Sequence, residues 1–325
     1  MRKLRVYVVC FAVLMLLFSL NSWAEDKFPS HPIKLVVGWN AGSSQDVPQR
    51  IAGEYAKEYL GVPIAVVNTP GASGMTGTRE VVKNGTKDGY TLLSTADSTW
   101  YPIFCGLTDY NIDEFVYVAN LLKQTLVVAV RADAPWKNMN DLTKDAKQNP
   151  DKIRWAATVG NQSHFIPLNI QKLTGAKFRF VAIPGGDTKR QAAMLAGNVD
   201  VLLTYPTTVM DYYKTKKFRL LGVTYPERLD VFPEVPTIKE QGIDVVYEFR
   251  VGLAAPAGTP ADRVKTIADA YGKVSKNPEY LKKMSDLGFT VEFEGPEALT
   301  KRMESFTKVL RDYAKESGYS VKKKK

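Results

Sequence analysis

Residues 33–46 read Ile33-Lys-Leu-Val-Val-Gly38-Trp-Asn-Ala-Gly42-Ser-Ser-Gln-Asp46 and pass from an apolar run through a glycine–serine loop into a helix. The run Ile33–Val37 has the length and β-branched content of a buried strand. Beyond the loop, Val47, Ile51, Tyr55 and Tyr59 recur at every fourth position, which predicts one apolar face of a helix. Gly61 and Pro63 end that helix, and Ile64–Val67 predicts the next strand. The loop Asn68–Gly74, a short helix carrying Val81 and Val82, and a strand at Tyr90–Leu93 continue the pattern. Strands alternating with helices predict a parallel sheet covered by helices on both faces.

A second run of the same kind starts near Leu126. Strands are predicted at Leu126–Val130, Ile153–Ala156, Phe178–Ile183, Val199–Leu203 and Arg219–Val223. Between them lie a helix over 138–148, one carrying Ile166, Ile170 and Leu173, and one carrying Ala193, Met194 and Ala196. The end differs. A strand at Val251–Ala255 leads into the turn Pro256-Ala-Gly-Thr-Pro. A helix then opens at Pro260 with Thr259 as its cap and Val264, Ile267, Tyr271 and Val274 as its stripe. A last helix carries Leu299, Met303, Phe306, Leu310 and Tyr313. Two α/β units with a helical ending pack as two lobes with a cleft between them.

The chain has 325 residues, 45% hydrophobic and 24% charged, which suits two soluble domains and excludes wholesale disorder. Arg2, Lys3 and Arg5 precede the 15-residue, mostly apolar run Val6–Leu20, and Asn-Ser-Trp-Ala follows, ending at the small residue Ala24. That is the pattern of a secretory signal peptide cleaved after about Ala24. The run is short of the roughly 20 residues that span a bilayer, and Cys10 lies inside it, so an uncleaved anchor and a lipoprotein are the lesser readings. The net charge of +10 owes four of its positives to the tail Lys322–Lys325, read as a solvated end. After cleavage one cysteine, Cys105, remains; it reads as a buried apolar residue. With no internal disulfide, an exported chain must rely on its core.

Five strand-to-helix loops are rich in glycine and serine: 38–46, 68–77, 94–99, 158–164 and 184–188. Each leaves backbone N–H groups free at a helix start, where an anion is favoured by about 0.3–1 kcal/mol. Converging on one cleft, they would hold a carboxylate without an arginine. Enzyme readings fare worse. Gly71-Ala-Ser-Gly-Met-Thr-Gly has the wrong spacing for a dinucleotide-binding turn, and neither a phosphate-binding G-x-x-x-x-G-K-[ST] nor a G-x-S-x-G elbow occurs. His164 adjoins Ser163, and adjacent helical residues do not face each other. Asp46 reads as an acid favoured by a helix N-terminus. No catalytic residue, metal ligand or cofactor is expected. Trp39, standing in a glycine loop, and Tyr205 are the candidates for an apolar wall over a ligand; Trp100 and Tyr101 read as packing.

A set of segments in fixed order adds a resemblance. They are Pro29-Ser-His-Pro-Ile-Lys-Leu-Val-Val, the loop ending at Asp46, Asn68-Thr-Pro-Gly-Ala-Ser-Gly, Asp88-Gly-Tyr-Thr-Leu-Leu and Gly160-Asn-Gln-Ser-His. Leu195-Ala-Gly-Asn-Val-Asp, Phe232-Pro-Glu-Val-Pro-Thr and Ala255-Pro-Ala-Gly-Thr-Pro complete it. From about Phe28 to Gly318 the chain resembles the Bug-type (TctC-like) extracytoplasmic solute receptors of tripartite tricarboxylate transporters. The resemblance implies an α/β two-lobed periplasmic-binding-protein (Venus flytrap) fold. Residues 25–126 with 253–325 would form one lobe and 127–252 the other, crossing near Leu126 and Gly252. It also implies a periplasmic monomer that closes on a small organic carboxylate and serves a membrane permease of the tripartite type, with no nucleic acid.

By the same resemblance the ligand site comprises Trp39, Asn40, Ala41, Gly42, Ser43, Ser44 and Asp46 from the first loop, and Gly71, Ala72, Ser73 and Gly74 from the second. Thr158, Val159, Gly160, Asn161 and Ser163, then Gly186, join from the other lobe, and Tyr205 is added as the aromatic wall. The first loop departs from the family's Pro-Phe-Pro-Pro-Gly-Gly, Ile183-Pro184 replaces its Pro-Tyr, and Thr204 stands where an acid is common. A missing acid favours a ligand without an amino group. A secreted hydrolase using Ser163 or Asp46, a sensor component and an adhesive envelope protein are the rival readings.

Overall fold

A computed structural model describes residues 27–158, 161–183 and 186–316. The expected leader at 1–24, Val159, Gly160, Pro184 and the Lys322–Lys325 tail lie outside the described residues.

The first unit runs β1 (Ile33–Val37), α1 (Asp46–Leu60), β2 (Ile64–Asn68), α2 (Met75–Asn84), β3 (Thr91–Ala96), α3 (Asp97–Phe104) and β4 (Phe115–Thr125). The second runs β5 (Val127–Arg131), α4 (Met139–Gln148), β6 (Arg154–Ala157), α5 (Gln162–Thr174), β7 (Arg179–Ala182), α6 (Asp187–Leu195), β8 (Val201–Thr204), α7 (Pro206–Lys214) and β9 (Phe218–Val223). The chain returns through β10 (Glu248–Pro256), α8 (Ala261–Val274), α9 (Pro278–Asp286), β11 (Thr290–Glu294) and α10 (Pro296–Glu316). Two sheets result, one ordered β11–β4–β10–β3–β1–β2 and one ordered β7–β6–β8–β5–β9.

Neither sheet is wholly parallel. Strands β2, β1 and β3 run parallel, as do β7, β6 and β8, but β10 lies antiparallel between β3 and β4, and β5 lies antiparallel between β8 and β9. Strand β4 passes from the first sheet into β5 of the second through Leu126 alone. Strand β10 enters the first sheet at Glu248, upstream of the expected crossing near Gly252. Strand β4 has no alternating pattern to announce it, because most of its residues are buried on both faces, Asn120 and Gln124 included.

The predicted stripe of α1 is rotated from the observed one. Tyr55 is buried, but Tyr59 is exposed, and the helix instead buries Ala52, Gly53, Ala56 and Leu60. Small residues let it lie close to the sheet; a Cβ on Gly53 would come within 3.1 Å of Ile64 Cβ. Gly61 ends it in a left-handed turn, its N–H donating to the Lys57 carbonyl. Thr259 does not cap α8: its hydroxyl turns back to the Pro256 carbonyl at 2.8 Å. No loop spans 94–99 either, because β3 runs through Ala96 directly into α3. Cys105 is buried, and burial pushes its thiol up to about 11.

The two passages between sheets meet at one buried threonine. The Thr224 hydroxyl accepts from the Leu126 N–H at 3.1 Å and lies 2.8 Å from the Tyr247 carbonyl, to which it donates. Its backbone N–H donates to the Leu126 carbonyl, and its carbonyl accepts from the Tyr247 N–H. Thr224→Val preserves shape but strips the hydroxyl partner from both passages. It is expected to cost about 1–3 kcal/mol, seen as a lower urea midpoint with unchanged slope; an unaltered midpoint would remove Thr224 as the tie.

Candidate functional site

Between the sheets opens a cleft of about 750 Å³, lined by loops that follow β1, β2, β6, β7 and β8 and by the first turn of α3. All lie at the carboxyl ends of strands, where helix N-termini direct N–H groups outward.

One wall is made by two loops that only glycine allows to touch. A Cβ on Gly38 would stand 2.7 Å from the Gly74 carbonyl oxygen, and one on Gly77 would stand 2.9 Å from Gly38 Cα. The turn from Gly71 to Gly74 has positive φ throughout, including Ala72 at 46° and Ser73 at 56°. Non-glycine residues held there store strain of the kind found at ligand clamps. The Trp39 indole covers Gly74 and faces the cleft half-buried.

Asp46 ties this wall together from behind and does not line the cleft. Its buried carboxylate accepts from the Gly42 N–H at 2.9 Å, the Asn68 amide at 2.8 Å and the Arg50 Nε at 3.0 Å. Asn68 in turn donates to the Trp39 carbonyl. Burial pushes the Asp46 carboxyl up, but Arg50, the Gly42 N–H, Asn68 and the Arg50 charge outweigh it and hold it below its ordinary value.

The opposite wall comes from the second sheet. Asn161 caps α5: its Oδ1 accepts from the Ser163 N–H at 2.9 Å and from the Ser163 hydroxyl at 2.6 Å. The Ser163 hydroxyl also accepts from the Thr158 N–H, and Ser163 is 1% exposed, so it shapes the loop from behind. His164 packs against Phe180 and Phe165, and burial lowers its pKa. Tyr205 and Phe249 pack edge to face as an apolar floor. The Tyr205 hydroxyl accepts from Gln162 Nε2 at 3.1 Å and is reached by the Ser44 side chain of the facing wall. Burial drives that hydroxyl far above its ordinary pKa, so it stays neutral.

Of the residues expected at the site, the cleft is lined by Trp39 through Ser44, Gly71 through Gly74, Thr158, Asn161, Gly186 and Tyr205. Asp46 and Ser163 support it from outside, and Val159 and Gly160 lie outside the described residues. Of the stretch 94–99, only Ser98 reaches it. Gln45, Pro70, Gln162, Asp187 and Thr188 fall within the predicted glycine–serine loops without being named individually, whereas Arg190, Thr208 and Phe249 lie outside them and were missed. Asp187 and Arg190 had a usable signal: they start a helix directly after a glycine loop, one turn apart on one face. They also alter the reading of Thr204, whose hydroxyl donates to the Asp187 carboxylate at 2.7 Å, so the cleft does contain an acid. Among the described residues no three His, Cys, Asp or Glu side chains gather as a metal site.

Residues 49–315 match the family described as tripartite tricarboxylate transporter family receptor. The UPF0065 protein in the gbd 5′ region of Cupriavidus necator is 30% identical over 92% of this chain and 87% of its own. A TctC solute-binding protein from Polaromonas, solved without ligand, is 28% identical with a TM-score of 0.73, over 89% of this chain and 99% of that one. The malate-bound MatC of Rhodopseudomonas palustris shares the fold at 23% identity and a TM-score of 0.77, over 88% of this chain and 100% of its own.

Proposed function

Because the chain belongs to the tripartite tricarboxylate transporter receptor family, we propose that it is an exported, monomeric receptor. It captures a small organic carboxylate between two lobes and passes it to a tripartite-type permease. One lobe is built on each sheet, hinged at Leu126 and at the stretch that precedes Glu248. The ligand sits among Trp39–Ser44, Gly71–Gly74, Thr158, Asn161, Gly186 and Tyr205.

The observation that carries this reading is the convergence of strand-end loops from both sheets on one cleft rich in glycine, serine and threonine. Such a surface offers N–H and O–H donors to a carboxylate. The Ser163 hydroxyl is bonded to Asn161 and Asp46 to Arg50, so neither is poised as a nucleophile or base, which favours binding without turnover. Closure follows from differential affinity: a ligand touching both walls favours the closed arrangement.

The test is thermal unfolding of the exported protein against a panel of mono-, di- and tricarboxylates, amino acids and aromatic acids. A true ligand at about 100 times its Kd adds about 2.7 kcal/mol; a flat panel refutes the carboxylate reading. Intact mass of the secreted chain reports the cut after Ala24. Trp39 supplies a further expectation. With its indole across the cleft, Trp39→Ala weakens an aromatic acid by about tenfold or more and an aliphatic one far less. Equal losses by calorimetry would count against the wall.

A further inference from the structure

The ligand of this cleft carries two acidic groups, we propose, and Arg190 holds the second one; the inference rests on the carboxylate reading above. Arg190 stands one turn into α6 and lines the cleft, yet it is only 4% exposed. A buried guanidinium presents five N–H donors and needs acceptors for them. Among the described residues it has two polar contacts, both long: Asp187 Oδ1 at 3.3 Å and Thr158 Oγ1 at 3.5 Å. Its Nε–H is buried with no partner at all.

Asp187 does not use that cation fully. Its Oδ2 already accepts from the hydroxyls of Thr208 at 2.5 Å and Thr204 at 2.7 Å, and from Gln191 Nε2 at 3.0 Å. The pair is single-pronged rather than the two-pronged fork that arginine and carboxylate prefer. Leaving donors of a buried charge unfilled is costly, and a second ligand carboxylate, planar and matched to the fork, fills them. Across the cleft the lining from Gly38 to Gln45 and from Pro70 to Gly74 is uncharged, fit for the first carboxylate through N–H and O–H groups. Among the described lining residues Arg190 is the sole cation. The two ends of the ligand are thus recognised by different chemistry, neutral donors at one and a guanidinium at the other.

The experiment is calorimetric titration of the exported protein with straight-chain monoacids and diacids of equal length (butyrate with succinate, hexanoate with adipate), and with glutamate. The diacid is expected to bind at least about tenfold more tightly than its monoacid partner. Arg190→Gln should remove most of that preference, weakening the diacid about tenfold or more and the monoacid far less. Should Arg190→Gln unfold because it strands Asp187, the double variant Arg190→Gln with Asp187→Asn removes both charges and is expected to lose the same preference. Monoacids binding as well as diacids would overturn this inference and leave the carboxylate reading intact. So would equal losses in both series. Glutamate, itself a diacid, is expected to weaken with Arg190→Gln as the plain diacids do; glutamate binding insensitive to Arg190→Gln would overturn the assignment. If no acid binds, both readings fall.

Discussion

Asp46→Ala is expected to lower stability by about 3 kcal/mol and to weaken ligand binding by tenfold or more. The carboxylate is 2% exposed and holds three separate groups: the Gly42 N–H, the Asn68 amide and the Arg50 guanidinium. Deleting it strands donors from three segments and leaves the Trp39–Ser43 loop tied to Asn68 through the Trp39 carbonyl alone. Asp46→Asn keeps an acceptor oxygen and should lose less. Urea denaturation with calorimetric titration reads both effects, and binding retained within about threefold in Asp46→Ala would dismiss the tie. The pH dependence has a definite sign. The folded pKa lies below the ordinary 3.8, so this stabilisation is complete above that value and disappears as pH falls through the lower folded one.

Asp97 should act in the opposite sense and in a different window. It opens α3 in full burial, and that burial raises its pKa to about 6 against the charges of Arg302 and Arg250 and the nearby Tyr247 hydroxyl. Folding therefore takes up a proton between the ordinary value of 3.8 and about 6. Stability from this group is greatest below that window and is lost as pH rises through it, by roughly 2–4 kcal/mol in all. Asp97→Asn cannot ionise, so its stability should lack this slope. Denaturation of both proteins at about pH 4.5 and about pH 7.5 isolates the difference, since Asp46 titrates below both. Parallel behaviour of the two proteins would show that Asp97 stays ionised, or stays hydrated, when folded.

Much of the cleft was legible in the sequence because its loops are written in local chemistry. A glycine run after an apolar strand needs only neighbouring residues to be recognised, and 38–44 and 71–74 do line the cleft. The face of α1 was legible only in outline, since Ala52, Gly53 and Ala56 are buried for their smallness rather than their hydrophobicity. Strand β4 carries no alternation, as burial on both faces erases the period of two. Asp187 and Arg190 stand at a helix start, but nothing local reveals that Thr204 and Thr208, from a later strand and helix, would enclose the Asp187 carboxylate.

The order of strands and helices, the two α/β units, the strand-end loops and the family segments were determined by sequence alone, because each depends on residues within a turn or two of one another. Tertiary structure decided the rest. It set the antiparallel places of β5 and β10, the union of both passages at Thr224, and the meeting of Ser44 with Tyr205. It also decided which polar groups line the cleft and which hold its walls: Asp46 and Ser163 turned inward, Arg190 toward the cleft. The physical reason is that a charge or hydroxyl acquires its role from the partners that burial brings to it, and those partners lie far away along the chain.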